Sequence, residues 1–144
     1  MLKNIPSILS PELLKILMEM GHGDELVIAD GNFPAASIAQ RLIRLDGHGV
    51  CPVLEAILRL FPLDPYVEKP VSLMQVVPGD TVKTPIWDEY RKILRAGGEP
   101  FKEFDMVERF AFYERAKKAY AVIATSESAL YANIILKKGV IAPG

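Results

Sequence analysis

A chain of 144 residues, half of them hydrophobic and about a quarter charged, has the size and composition of one globular domain with a sizeable core, which excludes a disordered chain. Seventeen Lys and Arg against eighteen Asp and Glu are spread along the sequence and leave a net charge of -1, so charge gives no case for nucleic acid or an anionic membrane as partner. The single cysteine, Cys51, excludes an internal disulfide, and with no secretory leader and no apolar run near the ~18 to 20 residues of a membrane span the expectation is a soluble, cytoplasmic protein.

The first predicted element is a helix. Ser10 caps it, Pro11 suits its first position, Glu12 sits near its positive end, and Leu13, Leu14, Leu17 and Met18 form its apolar side before Gly21 stops it. Glu25 to Asp30 reads as a short strand whose apolar middle suits burial on both faces. Phe33-Pro34 marks a loop, Leu42 to Leu45 a second short strand, and Asp46-Gly47-His48-Gly49 a turn. A helix from about Pro52 to Phe61 shows Leu54, Ile57, Leu58 and Phe61 on one side. Val71 to Val77 is a strand with Pro78-Gly79-Asp80 as its turn, and Thr84-Pro85 opens a helix through Trp87, Tyr90 and Leu94 to Gly97-Gly98. Phe104 to Val107, Ala119 to Ala124 and Asn133 to Leu136 are strands, with a helix from Phe110 to Lys118 between the first two. Alternating strands and helices predict a single-domain α/β layered fold over residues 1–144, with helices on both faces. The short connection between the last two strands leaves room for an antiparallel pair, hence a mixed sheet.

The chemistry-bearing residues fall where elements end. His22, in Gly21-His22-Gly23-Asp24, follows the first helix, whose negative end favours an imidazolium; a histidine titrates near neutral pH and can give or take a proton. The alternative is a histidine that helps cap the helix. Asp30 closes an apolar strand, at the edge where ligands gather in open α/β sheets; it either accepts sugar hydroxyls, fixes a histidine tautomer, or makes an Asx turn into Gly31. Arg109 is a rigid donor fork or a surface charge beside the packing aromatics Phe110, Phe112 and Tyr113. Tyr131 and Asn133 alternate about Ala132, so an extended segment puts both on one face; the alternative is a turn that starts a strand. His48 reads as a solvated loop histidine. A metal site from His22, His48, Asp24 and Asp30 is conceivable, but no helical His-x-x-x-His or Cys spacing supports it. Walker, dinucleotide and nucleophile-elbow motifs do not occur. One histidine, one carboxylate, one guanidinium and phenol or amide groups suit proton transfer on a small polyol.

Gly21-His22-Gly23-Asp24-Glu25, Asp30 with Phe33-Pro34, the run Arg109-Phe110-Ala111-Phe112-Tyr113-Glu114-Arg115, and Tyr131-Ala132-Asn133-Ile134-Ile135-Leu136 together resemble the ribose pyranase and fucose mutarotase family (RbsD/FucU), nearly end to end. The resemblance implies interconversion of the anomers of a reducing sugar, with no metal or organic cofactor. It makes His22 the acid/base residue and Asp30, Arg109, Tyr131, Ala132 and Asn133 the sugar-binding set. Arg109 matches the fucose branch, where ribose enzymes usually have a histidine. Asn32 departs from the histidine often found in fucose members, and His48 inherits no role. The resemblance also implies a homo-oligomeric ring, a decamer in relatives, with sites near subunit boundaries.

Overall fold

A computed structural model describes all residues from Met1 to Gly144. The elements run α1 (Pro11–Glu19), β1 (Glu25–Ala29), α2 (Ala35–Ile38), β2 (Leu42–Leu45), α3 (Val50–Leu58), β3 (Val71–Met74), α4 (Ile86–Ala96), β4 (Asp105–Val107), α5 (Arg109–Lys118), β5 (Ala121–Thr125) and β6 (Ile134–Lys137). The strands form one sheet in the order β2-β5-β1-β6-β3-β4. Neighbours are parallel except at β6, which lies antiparallel to both β1 and β3.

The sheet is mixed as expected, but β5 and β6 are not partners. Both pair with β1, one on each side, in registers Ile28↔Ile123 and Ile28↔Ile134. The short chain between them passes over the end of β1 rather than forming a hairpin, which carries residues 130–133 across the carboxyl end of that strand. The central strands β1, β5 and β3 are buried on both faces, as their mainly apolar sequences require, whereas β2 at one edge alternates exposed and buried.

Two cores flank the sheet. The larger packs α1, α3 and α4 residues such as Leu13, Leu54, Ile57, Tyr90 and Leu94 against Leu26, Ile28, Leu73, Ile123 and Ile134. The smaller packs Phe33, Ala35, Phe112 and Ala116 against Val27, Ala29, Val122 and Ile135. Alternate residues of β1 thus point to opposite cores, the period of two that a strand imposes.

Ser10 caps α1, its Oγ accepting from the Leu13 amide at 3.2 Å, and Pro11 opens the helix. Its buried face carries Leu13 and Leu17 as expected, with Leu14 half-buried against the core, but Ile16 joins them in place of Met18, which is 85% exposed. Helix α3 starts at Val50, before Pro52, because the Glu127 carboxylate accepts from the Val50 amide at 3.1 Å and caps the end. β3 stops at Met74, short of Val77. The Phe33-Pro34 loop continues into the single turn α2.

Candidate functional site

Asp30 follows β1 directly and is 5% exposed. Its Oδ1 accepts from the Asn32 amide at 3.0 Å, the Asx-turn geometry, and its Oδ2 from the Ala132 amide at 3.4 Å. Burial pushes the carboxyl above the ordinary aspartate value; the amides of Asn32, Ala132 and Phe33 oppose this and the charge of Glu127 adds to it. Gly31 packs tightly here. Its amide donates to the Glu127 carbonyl at 2.8 Å, and a Cβ on it would meet that oxygen at 3.1 Å.

The antiparallel register of β1 and β6 brings Asn133 alongside, and its Oδ1 accepts from the Asp30 amide at 2.7 Å. With that oxygen engaged, the amide nitrogen is the edge Asn133 offers a ligand. Tyr131 is not extended. It has φ 55°, a left-handed conformation that costs a tyrosine energy and must be held from outside. Helix α4 holds it: Trp87 Nε1 donates to the Tyr131 carbonyl at 2.8 Å, and the buried Tyr90 hydroxyl to the Ala132 carbonyl at 2.7 Å. Tyr131 and Asn133 therefore face the same space because the chain bends, not because a strand alternates.

Tyr131 Oη donates to Asp80 Oδ2 at 2.8 Å, and that bond, then burial, raises the phenol above its ordinary value. Arg109, the first residue of α5, has its guanidinium carbon 5.6 Å from the Tyr113 ring centre and 5.7 Å from that of Phe110. The Tyr113 hydroxyl is the main cause that raises its pKa, and a guanidinium is cationic at neutral pH in any case. Asp30, Asn32, Phe33, Met74, Asp80, Arg109, Tyr113, Leu130, Tyr131 and Asn133 line one cavity of about 280 Å³. That is room for a small ligand, and the lining combines carboxylates, a cation, an amide and phenols with the apolar Phe33, Met74 and Leu130. Ala132 contributes through its backbone.

His22 is not in this cavity. It precedes β1 while Asp30 follows it, and the six steps from Asp24 through β1 to Asp30, at ~3.3 Å each, set them roughly 20 Å apart. His22 Nε2 lies 3.0 Å from Asp64 Oδ1, and its ring is 5.4 Å from that of Tyr66. Asp64, not Asp30, is thus the carboxylate that fixes the histidine, and it leaves Nδ1 as the free nitrogen. The His22 side chain is 45% exposed and that of Asp64 4%. Burial alone would raise the Asp64 carboxyl, but the Tyr66 amide, the hydrogen bond and charge of His22, and Lys137 outweigh it and hold it below the ordinary value. Nor does His22 cap α1. Lys138 does, donating from Nζ to the Leu17 carbonyl at 2.9 Å and the Met20 carbonyl at 2.5 Å. Asp24 shapes the turn, its Oδ2 accepting from the Gly21 amide at 2.7 Å. His48 is exposed, and no three His, Cys, Asp or Glu side chains converge as a metal site would need.

Asp64 and Asp80 are the two polar residues that sequence reasoning missed. Asp80 was visible only as part of the Pro78-Gly79-Asp80 turn. Asp64 stands alone before Pro65, and its partner is 42 residues away, so no local spacing could join them.

The RbsD / FucU transport protein family matches residues 3–141. A fucose mutarotase of Homo sapiens is 56% identical over 98% of this chain and 95% of its own. The fucose mutarotase of Streptococcus pneumoniae, solved in complex with L-fucose, superimposes with a TM-score of 0.93 at 53% identity, covering 98% of this chain and 100% of that one. FucU from Bifidobacterium longum gives a TM-score of 0.94 at 59% identity, over 97% of this chain and all of the other.

Proposed function

We propose that this chain, which belongs to the RbsD/FucU family, is an isomerase that interconverts the α and β anomers of L-fucose or a related aldose. The observation that carries the reading is the Asp30–Asn133–Arg109–Tyr131 cavity, in a fold shared with a fucose mutarotase solved with L-fucose. Asp30 and the Asn133 amide nitrogen are an acceptor and a donor set beside each other, which matches a vicinal diol. Arg109 adds a fixed cation, and the apolar wall of Phe33, Met74 and Leu130 suits a 6-deoxy sugar.

Mutarotation breaks the bond between C1 and the ring oxygen, rotates the carbonyl and recloses on its other face. The ring oxygen gains a proton as the anomeric hydroxyl loses one. Each well-placed acid or base is worth ~10² to 10⁴-fold. In this reading His22, held through Nε2 by Asp64, is the acid and delivers its proton from Nδ1. At roughly 20 Å along β1 it cannot do so in its own chain, so it serves the cavity of a neighbouring copy. The surface around it supports such contact: a groove of about 570 Å³ lined by Leu2, Met18, Leu60, Ile141 and His22, with Met18 and Ile141 more than four-fifths exposed, is the kind of apolar patch that marks an interface. A homo-oligomeric ring with sites at subunit boundaries follows, needing no metal or organic cofactor.

The test is anomeric exchange by saturation-transfer NMR on chelator-treated protein offered L-fucose, D-ribose, D-galactose and D-glucose. Acceleration greatest for L-fucose and abolished by His22→Ala is the expected result. A second reading, a sugar-binding or sensing module, is favoured by one observation: the cavity of a single chain holds no histidine. Saturable binding with no faster exchange on any sugar would establish that module instead.

A further inference from the structure

The mutarotase reading needs a group that takes the anomeric proton. Asp30 is the one carboxylate among the residues expected from sequence, and its two oxygens are already engaged by the Asn32 and Ala132 amides, which suits it to hold the sugar. A phenol titrates near 10 and is a poor base at neutral pH, and Asn133 has no basic atom. The turn Val77-Pro78-Gly79-Asp80 offers another answer. It closes with the Asp80 amide donating to the Val77 carbonyl at 3.0 Å, and Gly79 takes φ 91° at the position where a turn with leading proline needs a glycine. Asp80 Oδ1 accepts from the Val82 amide at 3.0 Å, which turns Oδ2 toward Tyr131.

We propose that Tyr131 and Asp80 form a proton relay in which Asp80 is the terminal base of sugar-ring opening. Tyr131 Oη donates its proton to Asp80 Oδ2 across 2.8 Å, and its other polar contact is a long 3.4 Å one from the Val77 amide. The phenol oxygen therefore keeps acceptor capacity for a sugar hydroxyl in the cavity both residues line. As the anomeric O–H gives its proton to Tyr131 Oη, the tyrosine's own proton passes to Asp80. The electrons of the former O–H bond form the C1 carbonyl, the bond from C1 to the ring oxygen breaks, and the ring oxygen takes a proton from His22 of a neighbouring copy or from water. Reclosure reverses each transfer. No phenolate accumulates, so the high phenol pKa is no obstacle, and the exposed Asp80 carboxylate can return its proton to solvent between turnovers. The α4 hydrogen bonds that hold Tyr131 in its left-handed conformation acquire a purpose here, since they aim the ring at Asp80.

Asp80→Asn separates a relay from a latch. Asparagine has the same volume and keeps a hydrogen bond to the phenol whichever way its amide turns, but it cannot take the proton. With L-fucose as probe, kcat for Asp80→Asn should fall by ~10² or more, the usual worth of a general base, while KM stays within about threefold. Tyr131→Phe should lose a similar factor, and the double variant no more than either alone, as two members of one unit do. Wild-type kcat in Asp80→Asn, or a raised KM at unchanged kcat, would overturn the relay and leave Asp80 as a latch. The relay rests on the mutarotase reading; wild-type protein that accelerates no sugar would sink both, an outcome told apart by the wild-type control.

Discussion

On the proposed mechanism, a histidine roughly 20 Å from the Asp30 cavity of its own chain, by the rise of β1, makes a quantitative demand. Proton transfer needs heavy atoms within about 2.6 to 3.2 Å of each other, so no side-chain rotation closes the gap. Two defective variants test this. His22→Ala lacks the acid but keeps the cavity; Asp30→Asn keeps the acid but places an amide nitrogen against one of the two backbone amides that Asp30 accepts. Each alone should lose most activity, His22→Ala by ~10² to 10⁴-fold. When the two are mixed equally, unfolded and refolded together, about half the cavities keep Asp30 and about half of those meet an intact His22, in a closed ring of equivalent interfaces. About a quarter of wild-type exchange should return, read by NMR line shape of the anomeric protons at low sugar concentration. An in-chain site predicts that none returns, because every chain carries one defect. Recovery no greater than the sum of the separate variants would refute the placement of His22 in a neighbour's site.

Three further outcomes follow from the same geometry. Asp64→Asn should lower kcat by up to about 10²-fold, the cost of a misaligned catalytic group. It should also lower the melting temperature at neutral pH: the native carboxyl titrates below its ordinary 3.8, so its contribution is present above that value and lost as pH falls through the native one, and the wild type and variant should converge in strong acid. Gly139→Ala should destabilise by about 1 to 3 kcal/mol, because its Cβ would stand 2.5 Å from the Leu63 carbonyl oxygen and 2.8 Å from Asp64 Cα; denaturant titration measures the loss, and displacement of Asp64 should slow exchange as well. Tyr90→Phe should cost about 1 to 3 kcal/mol, since it removes the buried hydroxyl that donates to the Ala132 carbonyl; an unchanged denaturation midpoint would show that the 131–133 bend holds itself.

What the sequence made legible was local. The run Leu26 to Ala29, four of the five residues of β1, is apolar without interruption, as suits a strand covered on both faces. Ser10-Pro11 marks the start of α1 because capping is settled within one turn. The site was legible to the same depth. Asp30 stood out as the polar residue that ends an apolar strand, and Tyr131 to Asn133 as the polar opening of the next. That these two meet depends on β6 lying antiparallel beside β1, a pairing between segments about a hundred residues apart that no periodicity encodes. The same strand order explains the expectation that failed. A hairpin of β5 and β6 would have been the nearest arrangement in sequence, but β1 separates them.

This topology also accounts for the division of the chemistry. Because β6 runs antiparallel to β1, its start holds Asn133 beside Asp30 and its end pairs Lys137 with Glu25 and bonds to the Asp64 amide at 3.0 Å. One strand pair therefore builds the Asp30 cavity at one end of the strands and the His22–Asp64 pair at the other. On the proposed mechanism, a monomer organised in this way carries both halves of an acid/base site and keeps them apart by the length of its own central strand. The separation lets each half be rigid, because each is anchored on the sheet rather than on a loop reaching across it. If His22 serves a neighbour's cavity as proposed, activity depends on assembly, and dilution below the subunit dissociation constant should abolish exchange while sugar binding to the Asp30 cavity persists.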